Sequence, residues 1–152
     1  KININFDIWG PISDKTYWNE CQNIMSTLPL NIKAEYKGPI EQKLVYKTLA
    51  SYDLFFLPTL GENFGHVIAE SLSVGTPVLI SNKTPWKDLE NKGLGWDISL
   101  NDNIEFNKAL EKAFISYKDR PNVLRDKVKE FVKNNFSYTN EINDYKNLFN
   151  KF

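Results

Sequence analysis

Residues 54–80 read L-F-F-L-P-T-L-G-E-N-F-G-H-V-I-A-E-S-L-S-V-G-T-P-V-L-I, the pattern of strand, turn, helix, turn, strand. Leu54–Leu57 is a short continuous apolar run, as in a parallel strand buried on both faces. Pro58 ends it, and Gly61 and Gly65 bracket a tight turn. Val67, Ile68 and Leu72 then recur at helical spacing, and Gly75 with Pro77 closes that helix. Val78, Leu79 and Ile80 open the next strand. A turn at the carboxyl end of a parallel strand, leading into a helix, is where open α/β sheets bind ligands. The first N–H groups of the helix have no internal acceptor, and its dipole favours an anion.

Two carboxylates flank this turn. Glu62 precedes the helix, and Glu70 follows eight residues later. Carboxylates accept hydrogen bonds from hydroxyls, so the pair suits a polyhydroxylated ligand around a phosphate site. The plainer alternative is acid decorating a helix start, with Glu70 an ordinary surface residue. The amides of Phe64, Gly65, His66 and Val67 form the candidate phosphate cradle, where Gly65 permits close backbone approach. His66 can contribute a ring nitrogen or only its backbone N–H. Lys83 and Lys87 are read as solvated loop charges before contacts to a bound ligand.

The rest of the chain extends this unit in both directions. Ile2, Ile4, Phe6 and Ile8 alternate with Asn3, Asn5 and Asp7, a half-buried strand ended by Gly10-Pro11. Ser13 is the expected cap of a helix whose face holds Tyr17, Trp18, Cys21, Ile24, Met25 and Leu28. A strand is predicted over Leu30–Tyr36, closed by Gly38-Pro39. A helix over Glu41–Ser51 follows, with Leu44, Val45 and Leu49 inward. After Ile80 come a short helical turn around Trp86 and Leu89, and a strand at Trp96–Ile98 framed by Gly93 and Gly95. Helices are predicted over 103–117, 121–134 and 139–149. The aromatic residues Phe136, Tyr138, Tyr145, Phe149 and Phe152 cover the sheet or face a neighbouring domain. The alternation predicts an α/β fold: a parallel sheet with helices on both faces and right-handed crossovers.

Composition narrows the function. A chain of 152 residues suits one domain, read here as 1–152. Hydrophobic residues at 41% and charged residues at 25% are ordinary for a soluble globular chain. Nineteen basic and nineteen acidic residues cancel, which gives no general field for nucleic acid. The lone Cys21 cannot form an internal disulfide, which fits a reducing compartment and points to core packing. No metal-ligand cluster and no apolar run of membrane-spanning length are visible. The chain opens directly in a strand pattern without Met, so it is read as part of a longer protein.

The central stretch resembles the Glu-x7-Glu region of retaining GT-B glycosyltransferases, the group 1 family (family 4). Pro58-Thr59, Glu62, Phe64-Gly65, Glu70, Gly75 and Pro77-Val78 stand in the order of that pattern. The resemblance implies the Rossmann-like C-terminal, donor-binding half of a GT-B fold. It implies transfer of a sugar from a nucleotide diphosphate sugar, with retention and without a metal or other cofactor. Glu62 would hold donor-sugar hydroxyls as the catalytic-site carboxylate, and Glu70 the ribose. Gly61, Phe64, Gly65, His66 and Val67 would surround the diphosphate. Gly38, Pro39 and Ile40 would border the base, and Gly10 the diphosphate. An N-terminal acceptor-binding domain is the expected partner, and nucleic acid is not. The location implied is cytoplasmic, with peripheral association at the inner membrane face left open for the full-length enzyme.

One departure stands out. The family's Arg and Lys in a preceding βα unit find no match in Lys1–Gly10. This stretch by itself is therefore expected to fold but not to transfer sugar. A sugar-nucleotide 2-epimerase of the same architecture and a non-catalytic nucleotide-sugar-binding module are the alternatives. Intact Glu62 and Glu70 speak against the module.

Overall fold

The computed structural model describes residues 3–119 and 122–135. The helix predicted over 139–149 and the terminal aromatic residues lie outside them. The chain is α/β and divides into two compact units, residues 1–45 and 46–152. Each carries its own parallel sheet, in place of the single sheet expected.

In the first unit, β1 (Ile4–Trp9) and β2 (Ile32–Gly38) pair in parallel, joined by helix α1 (Lys15–Ser26). Ile4 lies opposite Ile32 and Ile8 opposite Tyr36, and an irregularity between Ile8 and Trp9 sets Trp9 beside Gly38. The expected alternation in β1 is blurred. Phe6 is exposed, whereas Asp7 is half-buried because Lys37 lies over it, 3.8 Å away and 2.9 Å from Glu35. Asp14, not Ser13, caps α1. Its Oδ1 accepts from the amides of Thr16 at 2.8 Å and Tyr17 at 3.0 Å, and its extended backbone immediately precedes the helix. The inward stripe is Trp18, Cys21, Met25 and Leu28, all half-buried. Tyr17 and Ile24, expected on it, are 65% exposed, because at about 100° per residue they fall beside the stripe. Trp18 stacks obliquely on Tyr36 at 4.7 Å. The second strand starts at Ile32, since Leu30 stands fully exposed in a turn closed by the Ile32 amide on the Pro29 carbonyl.

Helix α2 (Gln42–Ala50) crosses the division between the units. It buries Leu49 and half-buries Val45, but leaves Leu44 exposed.

The second unit has β3 (Phe55–Leu57), α3 (His66–Ser73), β4 (Val78–Ser81), β5 (Gly95–Ile98), α4 (Asn103–Asp119) and α5 (Val123–Asn135). Its strands run parallel in the order β3-β4-β5. The period of two divides their side chains between two cores. Phe55, Leu57, Val78 and Ile80 meet Ile68 and Leu72 of α3 and Val128, Phe131 and Val132 of α5. Leu54, Phe56, Leu79, Trp96 and Ile98 meet Phe106, Ala109, Leu110 and Ala113 of α4. Helices thus cover both faces, and every residue of β4 is buried. Burying a side chain such as Ile80 or Leu72 stabilises by roughly 1.5–3 kcal/mol. Gly95 is fixed by contact: a Cβ there would lie 1.8 Å from the Val78 carbonyl oxygen.

Several sequence expectations shift here. The segment around Trp86 and Leu89 forms turns, not a helical turn. Asp88 has φ 60°, and the Leu89 amide donates to Asp97 Oδ1 at 2.9 Å instead of to a helical carbonyl. Ile104 and Val123, expected on apolar faces, are exposed. A polar network closes the base of the unit. Arg125 donates to Tyr117 Oη at 2.8 Å, to Thr76 Oγ1 at 3.4 Å and to the Tyr52 carbonyl. Thr76 Oγ1 donates in turn to the Leu49 carbonyl at 2.8 Å. Burial pushes the Tyr117 hydroxyl above its ordinary value. No helix among the described residues is long and apolar enough to cross a membrane.

Candidate functional site

Beyond β3 the chain is held from two sides. Ser81 Oγ, at the end of buried β4, donates to the Thr59 carbonyl at 2.5 Å. Thr59 Oγ1 donates to the Gly61 carbonyl at 2.7 Å, and the Gly61 amide returns to the same hydroxyl at 3.2 Å. Such side-chain turns occupy backbone groups that would otherwise seek sheet or helix partners. Leu60 and Glu62 project outward, and Glu62 Oε1 accepts from the Asn63 amide at 3.0 Å.

Gly65 caps α3 in the left-handed conformation, φ 78° and ψ 54°. A Cβ there would meet Ile68 Cδ1 at 2.7 Å, Trp86 Nε1 at 3.1 Å and Glu62 Cγ at 3.3 Å. Only glycine suits both the backbone and the space. The Gly65 carbonyl accepts from Ile68 and Ala69. Glycine brings no side-chain acceptor, and the first turn of α3 contains no acid. The amides of Phe64, Gly65, His66 and Val67 accordingly donate no hydrogen bond among the described residues. They are donors at the positive end of a helix, the arrangement that accepts an anion from outside.

At this turn Glu62 adjoins Gly65, and the exposed ring of Phe64 packs on His66 at 4.7 Å. Glu70 is half-buried on α3, with its carbonyl taken by Ser73 Oγ at 2.7 Å. Of the residues predicted from the first unit, Gly10 and Gly38 adjoin each other. The Gly10 amide donates to the Gly38 carbonyl at 3.0 Å, and Tyr36 Oη donates to the Gly10 carbonyl at 2.7 Å. That sets Gly10 beside Gly38 at the carboxyl ends of β1 and β2, with Pro39 and Ile40 following. Lys83 is exposed, and Lys87 Nζ donates to the Asn82 carbonyl.

A cavity of about 280 Å³ lies elsewhere in the second unit, lined by Glu90, Trp96, Asp97, Asp102 and Lys112 among others, and by none of the predicted residues. Lys112, 2.6 Å from Glu90 Oε1, holds the Glu90 carboxyl below its ordinary value. The buried Trp96 Nε1 has no hydrogen-bond partner among the described residues. No group of three or more His, Cys, Asp or Glu side chains gathers to hold a metal among the described residues.

Three residues that hold the turn are not among the site residues that the sequence points to: Ser81, Thr84 and Trp86. Their signal was slight, two hydroxyls and an indole just after an apolar strand. Trp86 Nε1 donates to the Phe64 carbonyl at 2.8 Å, across 22 residues. Thr84, 4% exposed, receives the Trp86 amide at 3.2 Å and donates to its carbonyl at 3.3 Å.

No curated protein matches this chain. The family model described as "Glycosyl transferases group 1" matches residues 1–145, a span that contains both units' strands, the α3 turn and the two glutamates. With Glu62, the glycine-capped turn and Glu70 set on this parallel α/β scaffold, the chain belongs to the group 1 glycosyltransferases.

Proposed function

We propose that this chain is the donor-binding domain of a retaining glycosyltransferase of GT-B architecture and family 4 type, using a nucleoside diphosphate sugar. The observation that carries the reading is the row of uncommitted amides from Phe64 to Val67, capped by Gly65 and flanked by Glu62 and Glu70. As the glycosidic bond breaks, negative charge grows on the leaving diphosphate. Amides already fixed in direction stabilise that charge without reorganising. Glu62, on the exposed loop before the cap, accepts hydrogen bonds from the donor sugar. Glu70, further along α3, accepts them from ribose hydroxyls. Positioning by these groups, rather than attack by Glu62, is the role proposed for them. Gly10, Gly38, Pro39 and Ile40 are proposed to border the diphosphate and the base.

The test uses the full-length protein. Calorimetric titration with UDP, GDP and ADP is expected to show millimolar or tighter binding to at least one. Incubation with the matching nucleotide sugars should release nucleoside diphosphate, and the product anomer read by NMR should match the donor's. Failure of all three nucleotides to bind overturns the reading, and an inverted product overturns its retaining part.

A further inference from the structure

We infer that Trp86 is a positioning residue of the diphosphate turn, setting the direction of the Gly65 N–H. The inference rests on the donor-binding reading above. The peptide joining Phe64 to Gly65 is planar and trans, so its carbonyl and its N–H point in opposite directions. Trp86 Nε1 donates to the Phe64 carbonyl at 2.8 Å, which draws that oxygen toward the indole. The Gly65 N–H is thereby turned away from the indole, among the amides that have no partner. The indole also lies directly on the glycine, 3.1 Å from where its Cβ would be.

Trp86 is itself held firmly. Thr84 Oγ1 both accepts from its amide and donates to its carbonyl, and its ring packs against the core that contains Ile68 and Leu89. Thr84 follows buried β4 by three residues. The direction of the turn is thus referred back to the most buried strand of the unit. A Trp that merely filled space would need no donor aimed at the loop.

Two substitutions in the full-length protein separate the donor from the bulk. Trp86→Phe keeps an apolar ring and removes the N–H. Trp86→His keeps an N–H, because histidine Nε2 occupies the ring position of indole Nε1, and removes the second ring. We expect Trp86→Phe to weaken binding of the nucleotide that binds best among UDP, GDP and ADP by about tenfold, with a small change in Tm. Trp86→His should retain most of that affinity while melting lower than Trp86→Phe. Affinity would then follow the donor, and stability the packing. If affinity in both variants falls only in step with Tm, or if Trp86→Phe binds as tightly as wild type, the positioning role is wrong and the donor site stands. If wild-type protein binds none of the three, the donor-binding reading fails and this inference falls with it.

Discussion

Ser81 Oγ lies 2.5 Å from the carbonyl oxygen of Thr59, 22 residues earlier, and joins the end of β4 to the loop that leads into the candidate site. Ser81 is fully buried and also receives the Lys83 amide at 3.2 Å. Ser81→Ala removes one donor and one acceptor and leaves two backbone groups short of partners. The expected loss is roughly 1–3 kcal/mol, read from the urea midpoint at unchanged slope.

The two glutamates should fail differently. Glu70→Gln keeps shape and removes charge, so binding of UDP, GDP or ADP should weaken by roughly 1–3 kcal/mol, the range of charge-assisted hydrogen bonds. Glu62→Gln should leave nucleotide affinity nearly unchanged and lower kcat/KM, because only the sugar loses its guide. Equal loss of free nucleotide in both variants would contradict the division of roles.

Gly65→Ala tests the cap. The left-handed φ of 78° costs a side chain roughly 1–2 kcal/mol, and the new methyl would press on Ile68 Cδ1 inside the core. Stability should fall by about 1–3 kcal/mol, and nucleotide affinity should fall further than at Ser81→Ala. An unaltered calorimetric titration would show that the turn does not touch the ligand.

The Glu90–Lys112 pair gives a pH signature away from that turn. Lys112 lowers the Glu90 carboxyl from its ordinary 4.5. A carboxyl lowered by folding contributes stability above its unfolded value, and that contribution is lost as pH falls through the folded value. Lys112→Ala should therefore be slightly less stable than wild type at pH 7. The gap should stay under about 0.5 kcal/mol, because both side chains are more than half exposed and screened. It should close as pH drops below 4.5. Thermal melts from pH 7 to 3 would show a constant gap if the pairing is unimportant.

What was legible in the sequence followed periodicity. The run from Leu54 to Ile80 reads correctly as strand, helix and strand, because continuous apolar runs supply side chains to both cores and α3 repeats Ile68 and Leu72 at helical spacing. The sequence reads Gly65 as a turn glycine that permits close backbone approach, and the fold adds that it caps α3 in the left-handed conformation. Expectations that needed long-range partners were not legible. Trp86 and Phe64 are ordinary aromatic residues until the fold sets one indole N–H on one carbonyl. Asp14 displaced Ser13 as cap by one residue, a distance that composition does not resolve. Tyr17 and Ile24 are apolar neighbours of the α1 stripe in sequence, yet their angles put them beside it, 65% exposed. The division into two sheets depends on which strands pair, and alternation of strands and helices does not specify pairing.

The placement of Val128 has a consequence for synthesis. This fully buried residue completes the core around Ile68, Leu72, Val78 and Ile80, yet it is made 48 residues after Ile80. At about 5–20 residues per second, that is a delay of roughly 2–10 s. Through that delay the apolar sides of α3 and β4 exist without the helix that covers them. The window for misassociation of the nascent chain closes only when α5 arrives, so a chain truncated before Val128 would carry the whole candidate turn on a core it cannot close.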